Sequence, residues 1–100
     1  MAKYYKLQEL GDAVGVAVYT IEDVQPANGS DFSLEELQGY VEGYIEIVDL
    51  NDGRIMVVNE EGLNEGLPVN PLATAIFQER TGVADYIVGN VLICDAEQVK

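Results

Sequence analysis

Three groups of residues could do chemistry, and each has a plain structural counterpart. Cys94 could act as a nucleophile, but a thiol needs an activating base. It stands among Val91, Leu92 and Ile93 in a chain without histidine, so a buried thiol facing a core is the stronger reading. Asp49-Leu50-Asn51-Asp52-Gly53 opens like a calcium loop. Its glycine falls one position early, at the fifth place instead of the sixth, so a hairpin turn is the expectation. Glu60, Glu61 and Glu65 could pair as carboxylates or chelate a cation. Hydrolases use two carboxylates within a shaped pocket, whereas a glycine-punctuated run of acids is more simply a solvated loop. The missing histidine also removes the usual general base near neutral pH and the commonest metal ligand. No glycine-rich turn followed by lysine is present to cradle phosphate. The expectation is a non-enzymatic protein with no catalytic residue, cofactor or metal.

The elements that carry these residues centre on Gly43 to Pro68. Tyr44 to Leu50 and Arg54 to Asn59 are rich in β-branched and aromatic residues, as strands are. Asn51-Asp52-Gly53 between them signals a hairpin. A two-residue turn at Asp52-Gly53 would pair Ile47 with Val58. A three-residue loop pairs Ile47 with Val57 and Asp49 with Ile55, and gathers Ile45, Ile47, Ile55 and Val57 on one face. A one-residue slip moves a whole apolar set to the wrong side, so the three-residue loop is preferred, with Gly53 at positive φ. The other face, with Tyr44, Glu46, Val48, Met56 and Val58, is mixed and expected to be half covered.

Upstream, Lys3 to Leu10 reads as a short strand or an arm over residues 1–12. Val14 to Ile21 is almost continuously apolar, which suggests a central strand. Glu22 to Asp31 reads as a loop. Ser33-Leu34-Glu35-Glu36 matches a capping box, so a helix starts at Ser33, with Leu34, Leu37 and Val41 on its apolar face and Gly43 as its stop. After the glycine-rich loop, Asn70-Pro71 reads as an N-cap with proline at the first helical position. That helix would run to about Arg80, with Leu72, Ala73, Ile76 and Phe77 inward and Gly82 at its end. Tyr86 to Cys94 is a last strand interrupted at Gly89-Asn90, and Asp95 to Lys100 a frayed tail. The prediction is a single α+β domain over 1–100, with a mixed or antiparallel sheet of four to five strands and two short helices on one face.

Charge narrows the partners. Eighteen acids against five bases give a net charge of −13, and Glu22 to Glu65 holds twelve acids with Arg54 as its one base. Such a surface repels nucleic acid and anionic membrane and attracts basic proteins. Lys3 and Lys6 beside Tyr4 and Tyr5 are a weak nucleic-acid signal on so acidic a chain. A single cysteine allows no internal disulfide, and the N-terminal residues lack a signal-peptide core. No apolar run approaches the ~20 residues that span a bilayer. A soluble, cytoplasmic protein is expected.

Three stretches of the segment 33–94 resemble a known family. Gly43 to Glu46 (GYIE), Asn59 to Asn70 (NEEGLNEGLPVN) and Ile87 to Leu92 (IVGNVL) are similar to the pattern of domain of unknown function 3846. That family occurs in bacteriophages, mobile elements and bacteria. Where its members often carry arginine after the second asparagine, this chain has Pro71, so no role for that arginine is carried over. The resemblance implies a phage or mobile-element setting, with the host cytoplasm as location if the chain is phage-encoded, and it implies no activity. Two functional expectations follow. In the first, Glu35, Glu36, Glu42, Asp49 and Asp52 form an acidic surface for a basic partner protein, including the case of nucleic-acid mimicry in an anti-defence or host-takeover role. In the second, Asn59, Glu60, Glu61 and Asn70 rim a pocket for a small polar ligand or nucleotide.

Overall fold

In the computed structural model, which describes residues 2–8 and 19–99, five strands form one antiparallel sheet. They are β1 (Ala2–Leu7), β2 (Tyr19–Val24), β3 (Ile45–Asp49), β4 (Arg54–Asn59) and β5 (Val91–Asp95), in the order β2-β1-β5-β4-β3. Helices α1 (Leu34–Val41) and α2 (Pro71–Thr81) complete an α+β domain.

The two helices lie on opposite faces, which corrects the one-face packing. Strand side chains alternate, and here both sets are apolar. Ile55, Val57, Leu92 and Cys94 pack with Leu37 and Val41 of α1. Their neighbours Met56, Val58, Val91 and Ile93 pack with Ala73 and Phe77 of α2. Strands buried on both faces read as continuous apolar runs, and β4 and β5 are such strands. Of the apolar run expected to be central, Val14 to Ile21, the described end from Tyr19 belongs to β2, which is an edge strand and continues to Val24. Residues 14–18 of that run, and residues 9–12 of the expected N-terminal strand or arm, lie outside the described residues.

The hairpin has the three-residue loop. Ile47 faces Val57 and Asp49 faces Ile55, and Leu50 N–H donates to the Arg54 carbonyl at 3.1 Å. Gly53 has φ 86°, and Asn51 also enters the left-handed region at 62°. The face expected to be half covered holds buried Met56 and Val58, because α2 lies over it.

Both helix starts follow their capping residues. Ser33 Oγ accepts the Glu36 N–H at 3.1 Å, and Glu36 reaches back to the Ser33 N–H at 2.9 Å. Asn70 Oδ1 accepts the Ala73 N–H at 3.1 Å, with Pro71 in the first turn. The α1 end differs from expectation, since Glu42 rather than Gly43 takes the left-handed conformation, at φ 61°. Leu34 and Leu72, placed on apolar faces by spacing, are exposed. The C-terminal segment does not fray over its described part. Ala96–Gln98 forms a 3-10 turn, Phe32 N–H donates to the Gln98 carbonyl at 2.7 Å, and Val99 packs on the α1-side core.

Candidate functional site

The five acids expected to form one surface fall in three places and mostly have local tasks. Glu35 and Glu36 stand in the first turn of α1, Glu42 at its end, and Asp49 and Asp52 at the hairpin tip. Glu36 closes the capping box and also accepts the Ala27 N–H at 3.0 Å. The Ser33 and Ala27 backbone donors hold its carboxyl below the ordinary range. Glu42 accepts from the Asn90 amide at 2.9 Å, and Asp49 from the Asn51 N–H at 2.8 Å. Asp52 accepts from Arg54 Nη2 at 2.8 Å and lies 3.4 Å from Arg80 Nε, so the hairpin tip is partly neutralised and tied to α2. The Arg54 hydrogen bond lowers the Asp52 pKa.

The loop residues divide by burial. Asn59 and Asn70 are buried, and their amides serve the chain itself. Asn59 donates to the Val41 carbonyl at 3.1 Å and accepts the Glu61 N–H at 2.8 Å. Asn70 donates to the Gly89 carbonyl at 3.0 Å while capping α2. Glu60 and Glu61 are exposed, and Glu61 accepts from the Asn64 amide at 3.0 Å. Asparagine bonds local backbone readily, as to Glu61 and Ala73 here, and the other two bonds tie the ends of the loop to Val41 and Gly89 across the fold.

Beside this loop the structure assembles a site that spacing did not reveal. A cavity of about 200 Å³ opens on the α2 side of β3 and β4, lined by Val48, Val58, Leu63, Phe77, Tyr86 and Ile87. Three carboxylates, Glu46, Glu60 and Asp85, share its lining. Leu63 is 75% exposed and Tyr86 65% exposed, large apolar surfaces left in solvent next to a concavity. Tyr44, 69% exposed, lies one turn of the pleat from Glu46 and lines a second depression with Glu61 and Glu65. The sequence signal for Leu63 was a leucine flanked by glutamates, asparagine and glycine in a polar loop. Asp85 and Tyr86 gave none, because the strand expected to begin at Tyr86 begins at Val91.

Cys94 is fully buried, and desolvation pushes its thiol up to about 11. Among the described residues no group of three cysteines or carboxylates is placed to hold a metal ion, and no helix is long and apolar enough to cross a membrane.

An antiparallel sheet covered on both faces, with an acid-rimmed apolar depression at one edge, defines a small α+β domain whose distinctive surface is that edge. The chain belongs to the family described as Domain of unknown function (DUF3846), matching it over residues 16–99. No curated protein and no solved structure matches the chain.

Proposed function

We propose that this chain is a non-enzymatic accessory protein of phage or mobile-element type, working in the cytoplasm of a host cell by binding a basic partner protein. One observation supports the reading most: exposed Leu63 and Tyr86 share a depression with Glu46, Glu60 and Asp85, and exposed Tyr44 shares a second with Glu61 and Glu65. Exposed aromatic anchors inside a charged rim are the composition of a protein interface. Interleaved apolar groups suit a basic protein surface better than they suit mimicry of a bare phosphate backbone. The small-ligand reading is weaker, since the Asn59 and Asn70 amides are already engaged with backbone groups. The acids that matter also shift from those named by sequence: Glu36, Glu42, Asp49 and Asp52 lie outside the depression that Glu46, Glu60 and Asp85 line.

The test is capture of a host protein on the immobilised chain at low salt, with elution along a salt gradient. Charge reversal at Glu46, Glu60 and Glu61 should weaken the captured complex tenfold or more while melting stays cooperative. A partner whose affinity ignores both salt and these reversals would overturn the reading.

A further inference from the structure

Building on the proposed protein-binding role, we infer that β3 accepts a partner segment as a sixth strand, an extended peptide with an apolar centre and basic ends. The backbone of β3 is the starting point. Glu60 N–H donates to the Tyr44 carbonyl at 2.9 Å, and Leu50 N–H donates to the Arg54 carbonyl at 3.1 Å. Hydrogen-bonded pairs alternate along an antiparallel ladder, so the even-numbered residues of this strand bond β4. Ile45, Ile47 and Asp49 therefore turn their N–H and C=O groups outward, and among the described residues no strand lies beyond them. A row of outward backbone groups is a template for another strand.

Side chains on both faces of that edge suit the same occupant. On the α1 face Ile47 is 48% exposed, an apolar neighbour for an added strand. On the α2 face, Val48 leads into the depression with Leu63, Phe77 and Tyr86, which would receive an apolar side chain of the peptide. Glu46, Glu60 and Asp85 surround that entry and would pair with lysine or arginine on either side of the anchor. Charged edge residues also protect against self-pairing. Two copies of a chain with net charge −13 repel along this edge, so the charges exclude a second copy and admit a basic segment.

A fluorescent, amidated heptapeptide with a central leucine, flanking valines and lysines at both ends is the probe. Binding at low salt should slow hydrogen exchange at the Ile45, Ile47 and Asp49 amides at least tenfold. N-methylation of the peptide amides on one edge should weaken binding tenfold or more, while methylation on the other edge leaves it unchanged. Ile47→Pro, which removes an outward N–H on an edge strand where proline is tolerated, should act like the first methylation. A probe that does not bind, or one that binds equally with either edge methylated and leaves the three amides unprotected, overturns strand addition. Self-association through β3 that Ile47→Pro abolishes would overturn it in favour of a second copy. The basic-partner reading is judged separately, by the salt dependence and charge reversal of the captured host protein, and it survives if only the strand geometry fails.

Discussion

The Asn59 side-chain amide donates to the carbonyl of Val41 at 3.1 Å, joining the end of β4 to the last turn of α1. The Val41 carbonyl belongs to the group of orphans at a helix C-terminus, and the amide supplies its donor. The same side chain accepts the Glu61 N–H and so begins the loop.

Asn59→Ala removes both bonds at a buried position. Stability should fall by about 1–3 kcal/mol, the cost of leaving buried backbone groups unpaired. Asn59→Asp should cost more, because it keeps the acceptor, loses the donor and buries a charge. Urea melts of the three proteins check the order.

The loop turns on Gly66, at φ 68° with open space around its Cα, whereas Gly62 carries no positive φ and is hemmed in. A Cβ on Gly62 would lie 2.8 Å from Val88 Cγ2 and 3.3 Å from the Asn59 carbonyl. Gly66→Val should destabilise by about 1–3 kcal/mol through backbone strain alone. Gly62→Val should destabilise by overpacking. Gly66→Asn should recover much of the loss at its site, since asparagine tolerates the left-handed region. Unchanged thermal melts for both valine variants would remove this account of the loop.

Local signals made the hairpin and both helix starts legible in the sequence. The register followed from the period of Ile45, Ile47, Ile55 and Val57, and the helix starts followed from Ser33, Glu36, Asn70 and Pro71. Long-range order was not legible. Whether α2 covers the face of Ile55 or that of Met56 depends on the chain path, and both faces of β4 are apolar. The site was read in part. Its acids are visible as composition, but cap bonds and ion pairs claim Glu36 and Asp52, while Asp85 and Tyr86 reach the β3 edge only through tertiary packing.

Buried protons on Tyr4 and Cys94 should make the fold sensitive to alkali. Desolvation raises the Tyr4 hydroxyl from 10.0 to about 12, with Glu42 and Glu22 adding to the shift. Burial raises Cys94 from 9.0 to about 11. In both cases the folded state holds the proton more tightly than the unfolded one. Their stabilisation is complete below pH 9. It declines as pH rises, first as the unfolded Cys94 ionises and then, above 10, as the unfolded Tyr4 does. Tyr19 and Tyr40 are raised by burial in the same direction. Urea midpoints should be lower at pH 11 than at pH 9, and Cys94→Ala should flatten the decline that begins near pH 9. A midpoint constant to pH 11 would contradict the burial of these groups.

Salt should stabilise this protein, although salt weakens ion pairs. The described residues hold three pairs between side chains: Lys3 with Asp23, and Arg54 and Arg80 with Asp52. Exposed pairs of this kind are worth about 0–1 kcal/mol each, and screening removes part of that. Against them stands a net charge of −13 in a body of 40 × 29 × 23 Å. At 0.01 M salt the Debye length of about 30 Å exceeds the short dimension, so nearly every carboxylate repels every other. At 0.15 M it is about 8 Å, and only neighbours still interact. Self-repulsion therefore outweighs the few pairs, and its relief should raise Tm by about 4 °C or more, the response of a domain this size to roughly 1 kcal/mol. Glu60→Gln, Glu61→Gln and Glu65→Gln together remove three charges from the exposed loop. This triple variant should melt higher at 0.01 M and respond less to added salt. A Tm that falls between 0.01 and 0.15 M sodium chloride would mean that the Asp52 and Asp23 pairs outweigh the repulsion.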